Sequence, residues 1–180
     1  GQTWTQETLG MKSGNVLEAL YFLDTANGWV GGTPYAPGGG IWSRSECATP
    51  VTYCTGGVNS TGGAAAIGHG GSLSVSANDF VLVAVGCPAG RFGLFISGQG
   101  RQQTPLGDGF LCISAPLQRF SVIQTDAVGT AQFPLDFTGT LQMGGAIVPG
   151  ATWDFQLWYR DPGFGTGFNL TNGLEATFCQ

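Results

Sequence analysis

Charge is what this chain has least of. Of its 180 residues only 6 are Lys or Arg and 11 are Asp or Glu, so charged residues make up 9%, against roughly 25% in an ordinary soluble domain. The cations Lys12, Arg44, Arg91, Arg101, Arg119 and Arg160 are scattered, and the net charge is −5. Nucleic-acid binding needs clustered cations that neutralise phosphates, and anionic membrane surfaces recruit basic clusters. The sequence offers neither. Long apolar runs are missing too. None approaches the roughly 20 residues of a membrane-crossing helix, so no membrane insertion is expected.

Histidine occurs once, as His69, in the flexible-looking context Gly68-His69-Gly70-Gly71. Nucleophilic catalysis needs a base held on a nucleophile, and no G-x-S-x-G elbow exists, so no enzyme is expected. Several carboxylates, Asp24, Asp108, Asp126 and Asp161, sit where turns favour Asp. No two cysteines have CxxC spacing, which removes a zinc knuckle, and no cofactor is expected. Calcium stays open through loop groups such as Asn78-Asp79 or Asp108, although no D-x-D-x-D-G loop is present.

The five cysteines are Cys47, Cys54, Cys87, Cys112 and Cys179. In a charge-poor chain rich in Gly and Thr they read as disulfides of an oxidising compartment, so a secreted, extracellular or cell-surface protein is expected. Spacing alone does not fix the pairing. The adopted expectation joins Cys87 to Cys112 between neighbouring strands and Cys54 to Cys179 from start to end of a domain. Cys47 is then left unpaired or bonded to another chain.

What the chain does have is alternation of period 2. Leu73, Val75 and Ala77 share one phase of "SLSVSA". "FVLVAV" (80–85) is apolar on both phases, as in a central strand covered on both sides. Phe92, Leu94 and Ile96 share a face, as do Ala131, Phe133, Leu135 and Phe137, where Pro134 marks an edge or bulge. Leu174, Ala176 and Phe178 follow the same rule. "NVLEALYFL" (15–23) is read as strand, closed by an Asn27-Gly28 turn. Further turns are expected at 107–109, 126–129, 149–150 and 161–163. A composition break at residues 31–72, rich in Gly, places a boundary near residue 50. The expected fold is all-β. Residues 51–180 form an antiparallel β-sandwich of the Ig or jelly-roll kind, and residues 1–50 form a blade-like β annex with a Gly-rich linker.

Two resemblances add to this reading. Gly1, Thr3, Trp4, Phe22, Asp24, Gly28, Trp29 and Gly32, in "GQTWTQETLG", "NVLEALYFLDTANGWVGG" and "GGGIWSR", resemble one blade of sialidase-type (BNR) and photosystem-assembly-factor-like propellers. A ring needs about four or more blades. The resemblance therefore implies either a processed piece of something longer or a blade recruited as extra strands. The sialidase arginine cluster and Tyr/Glu pair have no counterpart here, so no catalytic residue carries over. Residues 54–179, through "CTGGVNSTGGAAAIGHGG", "FGLFISG", "PLGDGFLCI" and "WDFQLWYRDP", resemble a C-terminal module of large secreted proteins of planctomycete- and myxobacteria-like bacteria. That resemblance implies secretion and a β-sandwich, not an activity.

In "WDFQLWYR" Trp153, Phe155, Leu157 and Tyr159 form one apolar face, read as core. The other face carries Asp154, Gln156, Trp158 and Arg160. Trp158 with Gln156 and Arg160 is a candidate ligand or partner contact, as are Trp42 and Tyr35. The competing reading packs Trp158 under a loop or against the N-terminal blade, and has Arg160 and Asp161 satisfy turn carbonyls or form a short ion pair. The sequons at Asn59 and Asn169 matter only in a glycosylating host. The expected function is a secreted, non-enzymatic structural or adhesive module that assembles with itself or with other surface proteins through open strand edges. A carbohydrate-binding module with stacking aromatics and polysaccharide as partner is the second expectation. A third is an inert C-terminal remnant.

Overall fold

In the computed structural model the backbone is described for residues 16–22, 27–33 and 40–45, and backbone with side chains for 47–138 and 147–180. The chain divides into a unit Gly1–Glu46 and a unit Cys47–Gln180. Every paired strand is antiparallel, and no helix occurs among the described residues.

The first unit is a three-stranded meander, β1 (Val16–Phe22), β2 (Asn27–Thr33) and β3 (Gly40–Ser45), in the order β1-β2-β3. The strand expected around residues 15–23 is present. Asn27 and Gly28 are not its turn, because both pair within β2, opposite Ser45 and Arg44. Gly31 and Gly32, in the presumed linker, are likewise ladder residues of β2.

The second unit holds β4 (Val51–Tyr53), β5 (Ala66–Gly70), β6 (Val81–Val85), β7 (Phe92–Gly98), β8 (Arg101–Leu106), β9 (Gly109–Ile113), β10 (Gln118–Arg119), β11 (Ile123–Gln124), β12 (Ala131–Pro134), β13 (Thr152–Arg160), β14 (Phe168–Leu170) and β15 (Gly173–Thr177). The large sheet runs β10-β7-β13-β15-β4, with β11 also on β7 and β14 also on β13. A smaller sheet runs β12-β6-β5, and β8 pairs with β9 as a hairpin. No described sheet closes on itself.

Both sheets feed one apolar core. β13 contributes Trp153, Phe155, Leu157 and Tyr159, the phase predicted from alternation, and all four are buried. β15 and the residue after it add Leu174, Ala176 and Phe178, also as predicted. The small sheet answers with Phe80, Leu82, Ala84 and Ala131. Ring contacts cross between the sheets: Phe80 meets Phe155 at 6.3 Å and Phe95 meets Phe133 at 6.3 Å. Burying each such side chain stabilises the fold by roughly 1.5–3 kcal/mol.

Other expectations are corrected. β6 is central in its sheet, but only Leu82 and Ala84 are buried and Val85 is exposed, so one face alone is fully covered. On β7 the core takes Gly93, Phe95 and Ser97, which leaves Phe92, Leu94 and Ile96 on the outer face. "SLSVSA" forms no strand. Ser72 Oγ accepts from Ser74 N (3.3 Å) and Ser74 Oγ from Ala77 N (3.3 Å), so hydroxyls fold the backbone into turns. His69 is not in a loop but in β5, its ring stacked on Phe80 at 5.2 Å. Pro134 does sit in an edge strand, β12.

The disulfide expectation is overturned on both counts. Cys47 bonds Cys179 and Cys54 bonds Cys112, leaving Cys87 as the free, buried cysteine. The register explains it. β4 lies beside β15, so Cys54, one residue past β4, comes up against the hairpin strand β9. Cys87 lies in the core under the other sheet, and burial pushes its thiol up to about 12. Two disulfides fit an oxidising, extracellular setting.

Candidate functional site

The outer face of the large sheet is the unusual part. A sheet face turned to water alternates to polar residues, yet here Leu94 and Ile96 of β7, Trp158 of β13 and Leu170 of β14 point outward in adjacent strands. Leu94 pairs with Trp158, and Trp158 with Leu170. The β8–β9 hairpin covers them incompletely. Between hairpin and sheet lies a cavity of about 340 Å³, lined by those four residues with Leu106, Leu111, Leu117 and Arg119.

The hairpin is pinned at both ends. At its tip both Asp108 carboxylate oxygens accept from Thr166 N, at 2.9 and 3.0 Å. Towards its base Gln156, which is fully buried, donates from Nε2 to the carbonyls of Phe110 (2.8 Å) and Thr171 (2.6 Å) and accepts from Cys112 N at 3.0 Å. The Cys54–Cys112 disulfide adds a covalent tie at the same place.

This arrangement sorts the candidate contacts. Gln156 is corrected: it is a buried strut, not a contact residue, because the hairpin lies over it. Trp158 is half-buried, packed on Phe168 at 5.7 Å, with the Arg160 guanidinium 5.4 Å over its ring. It is a pocket wall more than a flat platform. Trp42 lies on β3, where only the backbone is described, and Tyr35 lies outside the described residues. Asp161 does not pair with Arg160. It is buried and accepts from Ser60 N (2.8 Å) and Ser60 Oγ (2.6 Å). Asn59 and Asn169, the sequon residues, are buried and bonded; Asn59 Nδ2 donates to the Gly86 carbonyl (2.8 Å) and the Tyr159 hydroxyl (3.0 Å). The calcium candidates hold turns instead. Asp79 accepts from Ser72 N and Oγ, both at 2.9 Å, and Asn78 Oδ1 accepts from Phe137 N at 2.7 Å. No group of three or more His, Cys, Asp or Glu close enough for a metal occurs among the described residues.

Sequence reasoning missed a polar cluster at the other end of the same face. Asp154 of β13 stands opposite Glu175 of β15. Arg101 reaches over both, with Nη2 2.5 Å from Glu175 and Nε 3.8 Å from Asp154, and its guanidinium lies 4.4 Å over the Tyr53 ring. The signal was faint, since these residues come from four separate segments. Burial first, then the Asp154 charge, pushes the Tyr53 phenol well above its usual range. Burial also raises the Asp154 carboxyl, against lowering contributions from Tyr53 and Arg101.

That shift has a measurable sign. The folded Asp154 carboxyl holds its proton to higher pH than in the unfolded chain, where the ordinary value is about 3.9. The unfolded state then ionises first, so this residue's contribution to stability falls as pH rises from about 4 through the raised folded value. Urea denaturation across pH is expected to show wild type losing stability relative to Asp154→Asn as pH rises above about 4. A constant difference between the two curves would refute the shift.

No family model, no curated protein and no solved structure matches the chain.

Proposed function

We propose that the chain is a secreted, non-enzymatic structural or adhesive module, its second unit a β-sandwich, which joins to other chains by strand addition at β4. The state of the sheet edges carries this reading. On the small sheet, β12 is blocked by Pro134, which has no N–H to give. On β5 the outward amide of Ile67 is already taken by Asn172 Oδ1 at 2.8 Å. At one side of the large sheet β10 and β11 have two residues each, against three in β4, and the shorter an edge strand the more poorly it templates a partner. β4 is different. β15 pairs with one side of it, no described strand pairs with the other, and Val51 is 51% exposed.

Light scattering of the wild-type protein is expected to give assemblies well above 18.6 kDa. A Val51→Lys variant, with a charge on the exposed edge, is expected to return to that mass. A wild type that stays monomeric at high concentration would sink the assembly reading. The first unit, a three-stranded meander, is read as a recruited blade-like element. A carbohydrate-binding role is the second reading, favoured by the partial exposure of Trp158 beside Arg160. It fails if no polysaccharide perturbs tryptophan fluorescence.

A further inference from the structure

From the pocket under the β8–β9 hairpin we infer a binding site for a small amphiphilic carboxylate, an aliphatic chain or single aromatic body of about 10–14 non-hydrogen atoms. Its size follows from the 340 Å³ cavity, given that an apolar cavity of about 150 Å³ accepts benzene, and it falls within the usual range of ligand pockets, roughly 300–1,000 Å³.

The chemistry follows from the lining. Seven of the eight described lining residues are Leu, Ile or Trp, and the eighth is Arg119. Arg119 stands on the short edge strand β10, opposite Ile96, and is exposed. A guanidinium at the rim of an apolar space pairs best with one carboxylate, by two parallel N–H···O bonds. Among the described residues no carboxylate side chain lines the pocket to occupy it. Arg160, stacked on Trp158, adds positive charge on the same face. An apolar body would lie along Leu94, Ile96 and Leu170, with Trp158 as the wall that reports it.

The pocket is also held open in advance. The Asp108–Thr166 bonds fix the hairpin tip, while Gln156 and the Cys54–Cys112 bridge fix the region towards its base. The walls therefore need not reorganise on binding, which removes a cost that weakens small-ligand affinity. This inference does not depend on assembly at β4, which lies at the opposite edge of the large sheet from β10.

Calorimetric titration of the full chain with sodium decanoate, below its micelle-forming concentration, tests it. Wild type is expected to bind with a Kd of about 10–100 μM. Decan-1-ol, with the same body and no charge, is expected to bind about tenfold more weakly, as is decanoate to Arg119→Ala. Decan-1-ol binding to Arg119→Ala should match its binding to wild type. Leu106→Trp fills the pocket from a 40% exposed position, so it should keep a wild-type melting curve and bind neither probe. Absence of binding to wild type, equal affinity for both probes, or undiminished binding to folded Leu106→Trp would each overturn the assignment. So would a Leu106→Trp variant that alters only assembly size, because the occupant would then be another chain.

Discussion

Loss of the Cys54–Cys112 bridge is expected to cost the second unit about 4 kcal/mol. The bridge spans 58 positions of chain, and closing a loop of that length removes about that much entropy from the unfolded state in the chain-entropy model. A Cys54→Ser/Cys112→Ser double variant should lower the urea midpoint by about 2 M, at a slope near 2 kcal/mol/M. Alkylation under denaturing, non-reducing conditions supplies the control. It should label Cys87 alone, because the other four cysteines are bonded. An unchanged midpoint, or label on Cys47, would contradict this connectivity. In the folded protein Cys87 should resist alkylation, since burial keeps its thiol protonated.

The second large effect centres on one amide. Gln156→Leu keeps the approximate volume but leaves the Phe110 and Thr171 carbonyls and the Cys112 N–H without their present partner. A buried polar group left unpaired costs about 1–3 kcal/mol, so the variant should lose about 3–5 kcal/mol in denaturant titration. It should also free the hairpin towards its base. Hydrogen exchange of β8 and β9 is then expected to quicken more than that of β13 or β15. Uniform quickening would mean that Gln156 supports the whole sheet and not the hairpin in particular.

What was legible in the sequence was what period 2 decides locally. Trp153, Phe155, Leu157 and Tyr159 announce a core face because every second residue from 153 to 159 is large and apolar, and β13 is central with neighbours on both sides. The other face was not legible. Asp154 and Gln156 look solvent-facing until the hairpin is laid over them, and "RQQTPL" in β8 carries no apolar phase to say which segment covers Trp158. The pocket appears only when Leu94, Trp158 and Leu170 are set side by side, which takes register between segments far apart in sequence. "SLSVSA" failed for a different reason. Its serines satisfy the backbone locally, so the alternation never needs a ladder. The disulfides belong to the first class of failure, since Cys54 and Cys112 meet through the placement of β4 and the hairpin.

The Cys47–Cys179 bond joins the first residue of the second unit to its penultimate one, across 132 positions of chain. Tension applied at Glu46 and Gln180 would therefore run through a single covalent cross-link and bypass the β-sheets altogether. The intervening segment, which could stretch to roughly 450 Å if pulled out at about 3.4 Å per residue, stays slack under load. For a module at a surface under shear, the folded sheets would bear no force until that one sulfur–sulfur bond is reduced.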